Sequence, residues 1–183
     1  MAFSIRRLLV SDQVDGFRNS REPEIQRFLR EQAFDEQNAF ASATYVLVDD
    51  DDPNLPVGFY AISPTSIRQR DLPTHSRPAV AYSSLGAFLL GRMGVDDRYQ
   101  GRRLGTALIA HAYKQCLYLC EDGGGIGLAV DPKNDRLIDY YADHGFVQLE
   151  PTRSRRMFIA TEMMAEIVRT NDSNGSAAEN LVS

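Results

Sequence analysis

The chain has no tryptophan, two cysteines and three histidines in 183 residues. That scarcity excludes a disulfide-stapled secreted scaffold, which needs several cysteine pairs to make up for a small core. Cys116 and Cys120 lie four apart in an apolar helical stretch, and no nearby His or Cys completes a metal set. An i,i+4 spacing on a helix gives unfavourable disulfide geometry, so both read as reduced cysteines. Positive charge is not in excess either: 20 Lys and Arg face 25 Asp and Glu, a net charge of −5. This argues against wholesale nonspecific nucleic-acid binding, but the tract Asp49–Asp52 holds part of the acidity and leaves room for a local basic face. There is no apolar run of membrane-spanning length and no signal-peptide pattern in Met1–Arg7, which predicts a cytoplasmic chain without a membrane partner.

What is present is enough for one domain with a sizeable core, since 43% of the residues are hydrophobic. Phe3–Leu9 reads as an opening strand, with Ser11 or Asp12 as the cap of a following helix. From Pro23 the apolar residues Ile25, Phe28, Leu29, Ala33 and Phe40 recur at helical spacing and predict one amphipathic helix ending near Phe40. Thr44–Val48 and Leu55–Ile62 read as a hairpin whose loop is the acidic tract, solvated rather than metal-binding, with Gly58 marking a bulge or a close approach. Ser63–Ser83 reads as a long connection rich in Pro, Ser, Thr and Arg, with His75 a solvated loop histidine.

Beyond that connection, Ala87–Val95 is strand-like and Leu104–Cys120 is helical. Ile126–Val130 follows as a short buried strand, then a helix capped by Asp131 or Asn134 that halts at His144-Gly145. Phe146–Leu149 and Met157–Ala160 close the pattern as a strand pair. Thr161–Thr170 reads as a short helix and Asn171–Ser183 as a disordered tail. No internal repeat occurs. Strands and helices alternating after a front hairpin predict an α+β or α/β sheet covered by helices.

The stretch from Leu89 to Ala110 carries the chemistry. It leaves a strand through Val95-Asp96-Asp97-Arg98, turns polar and Gly-rich, and enters a helix at Leu104. Exposed amides of such a turn, together with the positive end of the helix dipole, make an anion site suited to a pyrophosphate.

Two blocks here resemble the GNAT family of acetyl-CoA-dependent N-acetyltransferases. Gln100-Gly101-Arg102-Arg103-Leu104-Gly105 is similar to the family's Q/R-x-x-G-x-G/A turn, with Arg103 in place of its first glycine. Val130-x3-Asn134-x5-Tyr140-Tyr141-x3-Gly145-Phe146 resembles its N-x-x-A-x-x-F-Y-x-x-x-G-F helix, with Leu137 in place of the alanine. A narrower resemblance spans residues 20–160. Phe28-Leu29-Arg30-x-x-Ala33, Thr44–Val48, Val57–Ala61 and Leu89–Asp96 look like the GNAT toxins of bacterial toxin–antitoxin modules.

The resemblance implies a GNAT fold over residues 1–160: a mixed, mostly antiparallel sheet of six to seven strands flanked by helices, its fourth and fifth strands splayed around acetyl-CoA. Residues 161–183 would form a C-terminal extension. It implies that acetyl-CoA is held by Met93, Gly94 and Val95, by the turn Gln100, Gly101, Arg102, Arg103, Leu104, Gly105 and Thr106, and by Asn134 and Tyr141, with no metal. Arg103 is then either a phosphate partner or an exposed residue at the helix start. Tyr141 matches the tyrosine inferred to protonate the departing thiolate; the alternative is a core aromatic with a bonded hydroxyl. Its ordinary pKa of about 10 keeps a phenol protonated at neutral pH. The toxins acetylate the amino group of aminoacyl-tRNA, are held by a ribbon-helix-helix antitoxin, and imply a homodimer. For tRNA phosphates the candidates are Arg68, Arg70 and Arg77 in the middle connection and Arg153, Arg155 and Arg156 near the end. Two other functions fit the same residues: a GNAT enzyme acting on a small amine or a protein N-terminus, and a catalytically degenerate CoA-binding module.

Overall fold

The computed structural model describes residues 2–149 and 155–179. They belong to two compact units, Met1–Pro64 with Leu89–Ala112, and Thr65–Phe88 with Tyr113–Ser183. The described residues contain seven strands and five α-helices, the α+β class that the sequence predicts.

Strands β1 (Phe3–Arg7), β2 (Ala43–Asp49), β3 (Asp52–Arg68) and β4 (Ser84–Val95) lie in that order, Thr65–Arg68 of β3 and Ser84–Phe88 of β4 being counted in the second unit. β1 and β2 pair antiparallel from Phe3↔Asp49 to Arg7↔Tyr45, and β2 turns into β3 through Asp50-Asp51. The hairpin loop in the acidic tract is therefore two residues long. β3 begins earlier than its apolar run suggests because Pro56 falls at a bulge opposite Val48, where a missing N–H breaks no regular ladder. A Cβ at Gly58 would stand 3.3–3.4 Å from the Leu108 side chain and the Gly94 carbonyl, the close approach expected of it. Phe17, Phe28, Leu29, Val46, Phe59 and Ala61 form the core, with Phe59 edge-on to Phe17 and stacked on Phe28.

The helix expected over residues 23–40 is two helices, α1 (Pro23–Glu31) and α2 (Ala33–Asn38). The break at Gln32 lets Gln37 reach the Leu8 carbonyl at 3.0 Å and take the Thr44 amide at 3.4 Å. Neither Pro nor Gly marks it, so it is a tertiary bend. Asp12 caps no helix: it accepts the Leu9 amide at 2.8 Å and a two-pronged bond from Arg6, and a short 3-10 turn follows at Val14–Gly16.

α3 (Leu104–Gly123) leads from the first unit into the second. There the strand order is β4, β5 (Gly127–Val130), β7 (Met157–Ala160), β6 (Val147–Gln148). The Ile126 amide bonds to the Gly86 carbonyl at 2.9 Å beside β4, and β5 pairs antiparallel with β7. All four residues of β5 are buried, matching its continuous apolar run. The first third of the expected long connection is strand, and the rest holds 3-10 turns at Gln69–Asp71 and Thr74–Ser76.

α4 (Asp135–Ala142) sits between β5 and β6 in the chain, and α5 runs from Thr161 to Glu179. The latter corrects the expected tail, because helix continues past Thr170. Thr170 and Ser173 turn their hydroxyls back onto the Glu166 and Arg169 carbonyls, and Asp172 pairs with Lys114 of α3 at 2.9 Å.

Candidate active site

The Gly-rich turn belongs to the first unit. β4 ends in Met93-Gly94-Val95, and the Val95 carbonyl accepts from the side-chain amides of Asn19 and Gln100, each at 3.3 Å. Asp96, fully buried, caps the 3-10 turn Asp97–Tyr99. Its Oδ1 takes the Arg98 amide at 2.9 Å and Arg98 Nε at 2.8 Å, while Oδ2 takes Arg98 Nη2 and the Arg18 amide, both at 2.8 Å. Burial alone would raise the Asp96 carboxyl. The hydrogen bonds from Arg98 and Arg18 and the guanidinium charge outweigh it and hold the group below the ordinary carboxylate range.

The chain then passes Gly101 at φ +79° and Arg103 at φ +59°, both left-handed, and α3 begins at Leu104. The Ala107 amide bonds back to the Arg103 carbonyl at 3.2 Å, opening the helical ladder. Arg103 thus adopts the conformation that glycine adopts without steric cost. Among the described residues no group pairs with its guanidinium, and it is exposed. Arg102 lies over the Tyr99 ring at 5.2 Å. Gly94 is held to glycine by packing: a Cβ there would meet Ile25 Cγ2 of α1 at 2.6 Å.

Asn134 at the head of α4 and Tyr141 near its end both belong to the second unit. The Asn134 side chain accepts the Leu137 amide at 3.0 Å, so it is the cap. Tyr141 is 8% exposed, packed edge-on against Tyr140 and Phe146 with ring centroids 5.4 Å apart in each case. Among the described residues none hydrogen-bonds its hydroxyl. Burial, aided by Tyr140, raises the phenol above its ordinary value, so it stays protonated through neutral pH. Behind it, Tyr113 donates to the His144 carbonyl at 2.5 Å and fixes the turn that ends α4.

Three of the candidate arginines are gathered. Arg68, Arg70 and Arg77 line a cavity of about 720 Å³ with Gln69, Ser83 and Ser84. Arg68 pairs with Asp71 at 2.8 Å, and Arg77 binds the Leu72 and Arg70 carbonyls at 2.9 and 3.0 Å. One carboxylate against three guanidinium groups leaves this wall cationic. Arg155 pairs with Asp135 at 3.3 Å, and Arg156 grips Asp131 through two bonds of 2.6 and 2.7 Å. Arg153 lies outside the described residues. His75 is exposed, and no group of three or more metal-ligating side chains occurs among the described residues.

Sequence reasoning passed over two arrangements. Asp96 is a buried charge directly after an apolar strand with a cation two residues on, a local signal that was there to read. The other is Tyr60, fully buried, with its hydroxyl 2.8 Å from His111 Nδ1 and its ring stacked on Tyr45. These three lie 15 and 51 residues apart in the chain and leave no local trace.

The model of the acetyltransferase (GNAT) family matches residues 9–146. The chain belongs to this family. It is accordingly an acetyltransferase, and the matched residues include both the turn and α4. A tRNA-acetylating toxin of Mycobacterium tuberculosis is 29% identical over 147 residues, covering 80% of this chain and 85% of that protein. Among solved structures, a tyrosine-to-phenylalanine mutant of KacT superposes with a TM-score of 0.84 at 24% identity, over 91% of this chain and 99% of that one. AtaT complexed with acetyl-methionyl-tRNAfMet gives 0.83 at 21% identity, with the same coverage. Both show the GNAT fold of this chain.

Proposed function

We propose that this acetyltransferase takes its acetyl group from acetyl-CoA and passes it to the amino group of aminoacyl-tRNA, acting as a translation-blocking toxin. Tyr141 carries the reading: a buried, protonated phenol whose hydroxyl is bonded by no described residue, at the place of the family's tyrosine. Its ring is packed against Tyr140 and Phe146, while its oxygen is not among the buried atoms that lack a partner, so the hydroxyl is open to a ligand.

Acetyl-CoA supplies a thioester, an acyl group already activated for attack by an amine. The chain supplies the rest. Amides of the turn from Gln100 to Gly105, in the positive field at the start of α3, suit the pyrophosphate, and the unpaired Arg103 guanidinium adds charge there. Tyr141 Oη holds the proton that the departing sulfur needs. An α-amino group, with a pKa near 8, is partly neutral at pH 7 and needs no dedicated base. The cationic wall of Arg68, Arg70 and Arg77 suits phosphates of the tRNA backbone. Arg155 and Arg156, each paired with an acid, are secondary in this role. Similarity to the mycobacterial tRNA-acetylating toxin supports the substrate. A homodimer and a ribbon-helix-helix antitoxin complete the proposal.

The test compares the native chain and Tyr141→Phe, in vitro on charged tRNA with acetyl-CoA and in vivo as bacterial growth arrest. The variant should keep its fold and its acetyl-CoA affinity, lose most turnover, and abolish arrest. Acetylation of a polyamine but of no charged tRNA would replace the toxin reading with that of a small-amine enzyme. Absence of acetyl-CoA affinity would leave a degenerate binding module.

A further inference from the structure

The Gly-rich turn is bolted to the segment that enters α1. Asp96 Oδ2 takes the Arg18 amide and Arg18 returns its carbonyl to the Asp97 amide, at 2.8 and 2.9 Å. Asp97 Oδ2 takes the Ser20 amide at 2.9 Å, and Arg98 Nη2 donates to the Gly16 carbonyl at 2.9 Å. The buried Asn19 side chain joins both sides, donating to Val95 and accepting the Glu22 amide at the head of α1. On α1 itself, Gln26 accepts the Asn19 amide and Ile25 packs onto Gly94.

Every oxygen of Asp96 is used, by four donors in all, two of them the side-chain nitrogens of one arginine. Pulling the segment away would break the Arg18 bond to this buried carboxylate together with the bonds made by Asp97, Arg98 and Asn19, so the turn and the segment move together. Asp97 repeats the pattern on the surface, binding Ser20 on one side and Gln100, the first residue of the anion turn, on the other.

We infer that Asp96 is a positioning residue for acetyl-CoA, tying Gly16–Ser20 and the entry of α1 to the cofactor turn so that they respond as one body when pyrophosphate binds. This rests on the reading that the turn is the acetyl-CoA site. It makes α1 the element through which the protein registers a loaded turn, although α1 has no part in the anion site itself.

The experiment uses the full chain with acetyl-CoA as probe and reads amide hydrogen exchange alongside steady-state kinetics. Saturating acetyl-CoA should slow exchange of the Arg18 and Ser20 amides about tenfold in the native chain. Asp96→Asn should raise KM for acetyl-CoA about tenfold with kcat changed less than twofold, and should erase the exchange response at Arg18. Since Asp96→Asn can fail to fold, Asp97→Ala at the exposed partner is the second variant: it should raise KM about threefold and erase the response at Ser20 alone. Unchanged exchange at both amides on acetyl-CoA addition, or equal losses in kcat and KM terms for all substrates, would overturn the inference. Gly105→Glu separates the two levels. If it leaves acetyl-CoA affinity intact, the turn is not the site and the inference falls with it; if it abolishes affinity while Arg18 and Ser20 never respond, only the coupling falls.

Discussion

Replacing Arg103 by glycine separates two effects that the native residue combines. At φ +59° the arginine pays for a left-handed backbone, roughly 1–2 kcal/mol for a residue with a Cβ. Glycine removes that strain but frees the unfolded chain, which returns about 0.4–1 kcal/mol. The net expectation is a gain near 0.5–1 kcal/mol, which for a chain of this size is a rise in Tm of about 2–3 °C. Charge works the other way. A charge-assisted bond to phosphate is worth about 1.5–3 kcal/mol when sheltered and roughly 1 kcal/mol for a side chain as exposed as this one. Acetyl-CoA affinity should therefore fall about fivefold, and less at high salt, because exposed charges are screened. Calorimetric unfolding and titration of acetyl-CoA at two ionic strengths read both quantities. Arg103→Ala is the control: it keeps the strained backbone without the charge, so it should lose the same affinity and gain no stability. A Tm that falls in Arg103→Gly would refute the strain. Unaltered acetyl-CoA affinity in both variants would remove Arg103 from the anion site.

Gly94→Ala should lower Tm by roughly 3–8 °C, because its Cβ would overlap Ile25 Cγ2 and overpacking costs about 1–3 kcal/mol; a second change, Ile25→Ala, should recover part of the loss, and simple additivity would show that the two do not touch. Asp96 sets a pH dependence of stability: its carboxyl titrates lower folded than unfolded, so its contribution is complete above the ordinary range near 4 and is lost as pH falls through and below it. The Tm difference between the native chain and Asp96→Asn should be flat from pH 8 to 5 and shrink below about pH 4, and a difference that grows on acidification would contradict this.

Much of the fold was open to sequence reading where the signal is local. β5 is a continuous apolar run, α4 has an Asx cap and an apolar period, and the turn before α3 announces itself by glycines ahead of an Ala/Leu-rich helix. The same holds for Tyr141, whose position in a motif is a matter of spacing. Elements went astray where distant partners decided them. Nothing local separates α1 from α2, since Gln32 is an ordinary helix former and the bend serves Gln37 contacts with Leu8 and Thr44. Thr65–Arg68 is strand because β4 lies alongside, as the Gln69–Ser83 bond shows. Helix beyond Thr170 overrides a run of Asn, Asp and Ser because hydroxyls fold back onto the helix and Lys114 holds Asp172.

By itself, the sequence determined the class of the fold, the family, the Gly-rich turn before a helix and the candidate acid, because periodicity, glycine placement and motif spacing are properties of neighbours in the chain. Only the tertiary structure decided that Arg103 takes a left-handed conformation with its charge unpaired, that Asp96 is a buried knot between β4 and the entry of α1, and that three arginines share one cavity while Arg155 and Arg156 are matched to acids. Those are facts about burial and about partners up to 82 residues apart, as between Gly16 and Arg98. A linear pattern cannot carry them, since the free energy of a charge depends on what the fold places around it.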